Sequence, residues 1–149
     1  MSYALRSLSS KSEVDEVIKG TKEKVLVLRF GRAQDVVCMQ QDDILSKAEA
    51  PLRKMADIYT VDADKVEVYT HYFDITLIPA TLFFYNAIHI KIDGGTQDNT
   101  KFIGAFREKQ DFIDLVEVVY RGAMRGKKIV SSPIPPERVP KFNIIYKGI

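Results

Sequence analysis

The stretch KVLVLRFGRAQDVVCMQ, residues 24–40, decides the fold of this 149-residue chain. Its first part, Val25 to Phe30, is apolar almost throughout, which is typical of a strand that a sheet buries on both faces. A short loop follows, and a long helical pattern begins at Cys38. Dithiol chemistry places its cysteines at such a helix N-terminus, so the stretch raises the question of redox activity.

The composition is that of one soluble globular domain. Hydrophobic residues make up 46% of the chain and charged residues 28%, close to globular averages. No stretch approaches the roughly 20 apolar residues of a membrane span, and the N-terminal MSYALRSLSS lacks an apolar secretory core. We therefore expect an intracellular protein with no membrane contact. The single cysteine excludes an intramolecular disulfide and fits a reducing compartment.

The charge is unevenly distributed along the chain. Residues 1–120 carry 15 basic and 19 acidic side chains, whereas residues 121–149 carry seven basic and one acidic. A basic C-terminal segment on an acidic body favours an anionic partner or a targeting signal. The alternative is a solvated tail that its charge keeps soluble.

Periodicity and capping residues predict four helices and four main strands. Ser10 or Ser12 caps the first helix, Gly20 ends it, and Pro51 interrupts or restarts the second. Apolar and polar residues alternate over 88–93, as in a half-buried antiparallel strand. The predicted helices cover 10–20, 38–55, 65–73 and 107–120; the strands cover 25–30, 58–61, 80–85 and 88–92, with an edge strand over 3–8.

This order of elements predicts an α/β fold: a mixed central β-sheet with helices on both faces. Strand–helix–strand units imply parallel pairing, and the tight connection Asn86-Ala87 implies an antiparallel pair. The architecture resembles that of thioredoxin. In that resemblance Pro79 stands where thioredoxins have a cis-proline opposite the redox motif, so a cis Ile78–Pro79 bond is implied.

Short motifs in a fixed order carry a closer resemblance. They are Met1-Ser-Tyr3, Arg29-Phe-Gly31, Cys38-Met39, residues 85–93 with His89-Ile90 and Ile92-Asp93, Val119-Tyr-Arg-Gly-Ala123 and Ser132-Pro133. In these the chain is similar, to about residue 133, to the DIM family of spliceosomal thioredoxin-like proteins, and it resembles a divergent paralogue more than the main subunit. The resemblance implies a pre-mRNA splicing factor of the nucleus that associates with spliceosomal tri-snRNP proteins and has a link to cell-cycle progression.

The chemistry of thiol–disulfide exchange is missing from the motif. Exchange needs an attacking thiolate and a resolving thiol, but the attacking position holds Asp35 and only Cys38 remains. Ala80 follows the proline, where the main DIM subunit offers another thiol. We therefore predict no catalytic residue, no cofactor and no enzyme activity. The vestigial redox positions are Asp35, Val36, Val37, Cys38 and Pro79.

Two alternatives concern the remaining chemistry. Cys38 is either a small buried core residue, which we favour, or the thiol of a monothiol redox protein. His71 and His89 have no cysteine or histidine at ligand spacing, so no metal site is predicted. His89 lies on the polar side of its strand, which favours a surface contact or simple solvation.

A basic run after the last predicted helix, residues 121–128, is a candidate partner-binding surface. It favours contact with RNA phosphate, an acidic protein or the import machinery, or else it is a helix end with cations and a glycine stop. Direct RNA contact is the less favoured option, because no aromatic stacking surface accompanies the charge. The predicted binding residues are Arg121, Arg125, Lys127 and Lys128.

A Pro-rich basic C-terminal extension, residues 131–149, follows a thioredoxin-like domain of residues 1–130. It holds four of the six prolines, so an extended conformation is predicted. An apolar cluster within it predicts docking onto the domain or onto a partner. The candidate residues of this cluster are Phe142, Ile144, Ile145 and Tyr146.

The sequence thus predicts a non-catalytic thioredoxin-like module that works by binding spliceosomal proteins. A monothiol redox protein and an RNA-binding accessory factor are the alternatives. Val36 and Val37 make the former redox surface apolar, which favours a groove for a peptide segment or self-association as a homodimer.

Overall fold

Seven strands and four α-helices make up the part of the computed structural model that is described, residues 5–96 and 98–141. The strands are β1 (Arg6–Leu8), β2 (Val25–Gly31), β3 (Ala56–Asp62), β4 (Ala80–Tyr85), β5 (Ile88–Asp93), β6 (Phe102–Ile103) and β7 (Ile129–Ser131). The helices are α1 (Lys11–Gly20), α2 (Val36–Leu52), α3 (Glu67–Tyr72) and α4 (Lys109–Met124), and a 3-10 turn covers Pro136–Arg138.

The strands form one mixed sheet in the order β1-β3-β2-β4-β5-β7, with β6 paired to β4. The central strand β2 is buried along its whole length, runs parallel to β3 and antiparallel to β4. β1 adds parallel to β3 at one edge, and β7 adds parallel to β5 at the other. This topology confirms the predicted mixed sheet and the edge strand as far as the described residues reach.

Helices cover both faces of the sheet, as predicted. On one face, α2 and α4 bury residues such as Leu45 and Phe112 against β2, β4 and β5. On the other face, α1 and α3 bury Val14 and the partly buried Phe73 against Leu28 and its neighbours. Two apolar layers on a central sheet make an α/β domain with one contiguous fold.

Helix α1 begins as the sequence predicts but ends differently. The hydroxyl of Ser10 accepts a hydrogen bond from the Glu13 N–H at 3.2 Å, so Ser10, rather than Ser12, is the cap. Gly20 is the last helical residue, but it does not make the stop. Thr21 is the C-cap instead: its backbone is extended, and its N–H and its hydroxyl both donate to the Val17 carbonyl, at 3.1 and 2.7 Å.

Helix α2 differs from its prediction at both ends. It begins at Val36, two residues before the predicted start, because Asp35 caps it. The predicted interruption at Pro51 is wrong, since the helix runs unbroken to Leu52. Pro51 lies in the last turn, so the one hydrogen bond that its missing N–H removes is at the end of the helix, and the chain then turns into β3 rather than reaching Met55 as helix.

The sequence analysis did not predict two short strands, and it placed the end of one helix too early. Strands of two and three residues, β6 and β7, are too short to show an alternation of apolar and polar residues. Helix α4 continues to Met124, four residues beyond its predicted end, so Arg121 belongs to the helix and does not follow it.

The connection between β4 and β5 is a two-residue hairpin with an unusual residue in it. Asn86 and Ala87 have φ angles of 49° and 67°, and this left-handed pair is the geometry in which Asn-Gly is preferred. An alanine there carries a steric penalty of about 1–2 kcal/mol between its Cβ and the following carbonyl.

We expect Ala87→Gly to raise the free energy of unfolding by roughly 0.5–1 kcal/mol, because relief of that penalty exceeds the added entropy of the unfolded chain. Urea denaturation measures the change.

Ala50→Gly is the matched control, since Ala50 is an exposed alanine inside helix α2. It should lower the free energy of unfolding by about 1 kcal/mol. A lower stability of the Ala87→Gly protein would contradict the left-handed geometry of the hairpin.

Candidate functional site

The vestigial redox positions come together at the end of β2. The register between β2 and β4 pairs Phe30 with Ala80, the residue after Pro79. The thiol of Cys38 lies against Gly31, the last residue of β2, so closely that a Cβ on Gly31 would be 2.6 Å from Sγ. The Ile78–Pro79 bond is cis, as the resemblance implies. The end of β2, the start of α2 and Pro79 thus keep the arrangement that is expected of a redox site.

The attacking position of this site is occupied by a helix cap. Asp35 Oδ1 accepts a hydrogen bond from the Cys38 N–H at 2.9 Å, and this bond holds the pKa of the Asp35 carboxyl below its usual range. The carboxylate satisfies a backbone donor that the first turn of α2 leaves unpaired. Asp35 therefore has a structural role that a cysteine there would not perform.

The remaining thiol is fully buried and protonated at neutral pH. Burial raises the pKa of Cys38 to about 11, and hydrogen bonding and charge from Asp35 act in the same direction. A hydrogen bond from the Arg32 backbone, and to a smaller extent the charge of Arg29, lower this pKa but do not outweigh burial. A thiol in this environment lacks the thiolate form and the accessibility that exchange requires.

A buried ion pair that the sequence analysis missed anchors the helix beside the site. Arg29 is 4% exposed although it lies in the middle of β2, and its Nε and Nη2 donate to the two carboxylate oxygens of Asp42 at 2.7 and 2.6 Å. Its Nη1 also lies 3.4 Å from the Val61 carbonyl of β3. One arginine inside an otherwise apolar strand was the signal, because a buried charge requires a partner.

A second missed contact joins α2 to the sheet. Gln41 is fully buried; its Nε2 donates to the Thr81 hydroxyl at 2.9 Å, and its Oε1 accepts from the Phe106 N–H at 2.9 Å. Gln41 thereby connects three segments that are remote in the chain. Nothing in its local sequence distinguishes it from a solvated helical glutamine.

The solvent-facing surface at the vestigial positions is apolar. Val36, Val37 and Met39, all in the first turn of α2, are 67%, 41% and 56% exposed. Leu77, two residues before the cis-proline, is 39% exposed. We call these four residues the redox-end surface. Exposed apolar side chains that are close together mark a protein-binding surface more often than a solvated one.

His89 is half-buried, so the expectation of simple solvation is wrong, whereas the alternative of a surface contact stays a prediction. Its ring packs 5.3 Å from those of Phe73 and Phe84, and its Nε2 lies 2.8 Å from the Thr100 carbonyl. Burial lowers its pKa.

Across residues 5–96 and 98–141, no group of three or more His, Cys, Asp or Glu side chains is placed to hold a metal ion. No helix in the same ranges is long and apolar enough to cross a membrane.

The basic run of residues 121–128 forms the end of α4 and the turn into β7. Arg121 lies in the last helical turn and Arg125 follows the helix. Gly126, with φ of 85°, then reverses the chain and leads into Lys127 and Lys128. All four cations are exposed, and none of them has an ion pair among the described residues.

The described part of the C-terminal extension, residues 131–141, packs on the domain. Ile134 and Val139 are buried in the core beside α4, and Arg138 Nε and Nη2 donate to the buried carboxylate of Asp111 at 2.9 and 3.0 Å. The 3-10 turn at Pro136–Arg138 shows that the prediction of a wholly extended segment is wrong. The division of the chain at residue 131 stays a prediction. The apolar cluster Phe142, Ile144, Ile145 and Tyr146 lies outside the described residues.

Known relatives cover the whole chain. A family model described as mitosis protein DIM1 matches residues 4–136. The Mus musculus protein named thioredoxin-like protein 4B is 62% identical over 149 residues, 100% of each chain. Mitosis protein dim1 of Schizosaccharomyces pombe is 38% identical over 133 residues, 89% of this chain and 94% of its own. Spliceosomal protein DIB1 of Saccharomyces cerevisiae is 35% identical over 132 residues, 89% of this chain and 92% of its own.

Solved thioredoxins share the architecture. Thioredoxin of Malassezia sympodialis has a TM-score of 0.61 at 18% identity and covers 80% of this chain and 95% of its own. The germline thioredoxin Deadhead of Drosophila melanogaster has a TM-score of 0.62 at 16% identity, with 76% and 97% covered. These likenesses confirm the predicted thioredoxin-like fold, and at such identities they show the fold alone.

The contact between Gly31 and Cys38 predicts a non-additive pair of substitutions. Gly31→Ala should lower the free energy of unfolding by about 1–3 kcal/mol, because its Cβ would overlap the sulfur. Combining it with Cys38→Ala should recover part of this loss, with a coupling free energy of about 0.5–3 kcal/mol in a double-mutant cycle. Urea denaturation of the four proteins measures the coupling, and strict additivity would contradict the contact.

The raised pKa of Cys38 predicts slow alkylation. Near neutral pH, iodoacetamide should modify the folded protein at a rate on the order of a hundredfold below that of an unstructured cysteine peptide. The rate should keep rising with pH until the thiol ionises near pH 11. The same chain in urea serves as the control, and a rate that levels off near neutral pH would contradict the protonated, buried thiol.

Proposed function

The chain belongs to the DIM1 family, and on this premise we propose that it is a non-catalytic, protein-binding factor of pre-mRNA splicing. The relative in budding yeast is named a spliceosomal protein and the one in fission yeast a mitosis protein. We extend the splicing role to this chain, together with a link to cell-cycle progression, a location in the nucleus and association with tri-snRNP proteins.

One observation carries the non-catalytic part of the proposal. Asp35 caps α2 from the position where an attacking cysteine would act, and Cys38 is buried behind it. The fold is therefore kept while the chemistry that it serves in thioredoxins is absent. A monothiol activity would need Cys38 as an accessible thiolate, and both burial and the neighbouring carboxylate oppose this.

The proposed mechanism is occupancy of surfaces by segments of partner proteins. The redox-end surface offers Val36, Val37 and Met39 on a helix that the Arg29–Asp42 ion pair holds rigidly. Such a surface binds without reordering its own backbone, which lowers the entropic cost of association. The same surface would serve a homodimer, which we propose as a second use of it.

Affinity purification from nuclear extract tests the function. The full-length protein should recover spliceosomal proteins, and Val36→Asp/Val37→Asp should reduce that recovery by about fivefold or more, since each charge would be desolvated in the contact. Val68→Asp is the matched control: Val68 is 57% exposed on α3, away from this surface, and its variant should behave as wild type.

Three results would contradict the proposal. One is that the full-length chain recovers no splicing proteins; the second is that both variants recover them equally well. The third is thiol-dependent insulin reduction by the wild-type protein that Cys38→Ala abolishes. The role of the tail is tested by ending the chain after Lys141, because a cut at residue 131 would also remove the buried Ile134 and Val139.

Sedimentation velocity addresses the homodimer. A wild-type dimer that becomes a monomer with Val36→Asp/Val37→Asp would support the redox-end surface as its interface, and a monomer in both would contradict it.

A further inference from the structure

A groove lies at the end of the sheet opposite to Cys38. It is lined by Ile88 and Ile90 of β5, by Met124 at the end of α4, and by Lys127 and Lys128, and has a volume of about 300 Å³. The register places this end of β2, Val25, opposite Tyr85, whereas Phe30 at the other end lies opposite Ala80. At about 3.3 Å per residue, the groove is roughly 20 Å from the redox-end surface.

The groove combines exposed apolar side chains with unpaired cations. Two apolar side chains of its lining, Ile88 and Met124, are 45% and 59% exposed. Arg121, Arg125, Lys127 and Lys128 surround the end of α4, and none of them has an ion pair among the described residues. The acidic residue in its lining, Glu23, accepts a hydrogen bond from the Tyr85 hydroxyl at 3.0 Å.

Hydrogen bonds fix the backbone that carries Lys127 and Lys128. The Lys127 N–H donates to the Gly122 carbonyl at 3.0 Å, and the Lys128 carbonyl accepts from the Lys91 N–H of β5 at 2.8 Å. Gly122 makes this close approach of β7 to α4 feasible, because a Cβ there would lie 2.5 Å from Val130 Cγ1. The backbone of a binding surface built in this way needs little ordering on association.

From this arrangement we infer that the groove binds an acidic segment of a partner protein, with an apolar side chain of that segment resting on Ile88 and Met124 and its carboxylates facing Lys127, Lys128 and Arg125. The charge complementarity selects an anionic partner, and the apolar floor selects a protein over a nucleic acid. Tyr85, the aromatic residue in the described lining, is 7% exposed and offers no stacking face. The inference rests on the proposed protein-binding function and adds a second site to it, which can be filled together with the redox-end surface.

Fluorescence anisotropy of the full-length chain tests the groove, with a short fluorescein-labelled peptide of Glu-Leu repeats as the probe. Lys127→Glu/Lys128→Glu should weaken its binding about tenfold or more at low ionic strength, and salt should weaken wild-type binding. Lys65→Glu/Lys109→Glu is the matched control, with the same change of charge on exposed residues at the other end of the sheet, and should change affinity less than about twofold. Met124→Ser should weaken binding without any change of charge.

Several outcomes would overturn the inference. One is equal binding by the wild type and the groove variants. Another is a Glu-Ser peptide that binds as tightly as the Glu-Leu peptide, since this would show charge attraction without use of the apolar floor. A third is that a single-stranded RNA oligonucleotide binds more tightly than the peptide and that Lys127→Glu/Lys128→Glu abolishes this RNA binding. The cations would then serve to bind RNA rather than an acidic protein segment.

The extract experiment separates this inference from the proposed function. Suppose that Lys127→Glu/Lys128→Glu changes neither the recovery of splicing proteins nor the binding of the peptide. The inferred binding by the groove is then wrong, and the proposed splicing role stands. Peptide binding that depends on the groove, without any recovery of splicing proteins, would keep the groove and remove the splicing role.

Discussion

The close packing of α2 on the end of β2 depends on the missing side chain of Gly31. A Cβ at this position would lie 2.6 Å from the Cys38 sulfur and 2.9 Å from Arg29 Nη1. With glycine there, the first turn of α2 rests on the strand, Cys38 is buried, and Arg29 extends beneath the helix to reach Asp42. The start of α2, its cap at Asp35 and the anchoring ion pair are therefore consequences of one close approach between a strand and a helix.

That arrangement explains how the fold persists without a cysteine at the attacking position. In this chain both cysteine positions have structural roles. Asp35 accepts a hydrogen bond from an N–H group that the first turn of α2 leaves free, and Cys38 fills the space above Gly31. Neither role requires a thiolate. What the site still offers to solvent is the apolar redox-end surface, because Val36, Val37 and Met39 point away from the packed side of the helix.

The sheet separates two surfaces of different chemistry. The redox-end surface is apolar, whereas Lys127 and Lys128 line the groove at the other end of the sheet, and Arg121 and Arg125 are exposed at the adjoining end of α4. Both are built on rigid elements, since β2 and β4 run between them as fully buried strands. A small domain of this kind suits the proposed binding of partner segments at both ends of its sheet. The basic run, a candidate partner-binding surface on sequence grounds, adjoins an apolar groove in the structure, and the sequence did not predict that groove.

The sequence by itself determined the order of elements, the family and the loss of the attacking cysteine, because these depend on residue identities and on local periodicity. The apolar run Val25–Phe30, the alternation over 88–93 and the motifs around Gly31 and Pro79 were sufficient for this.

Only the tertiary structure decided which polar residues are buried. Arg29 and Gln41 find partners 13 and 40 residues away, and the ring of His89 packs against Phe73, the residue after α3. It also decided the place of β7, which is too short for a local signal and exists because Gly122 lets it pack against α4. Local patterns encode local structure, whereas burial, pairing and the assembly of a surface depend on contacts between segments that are far apart in the chain.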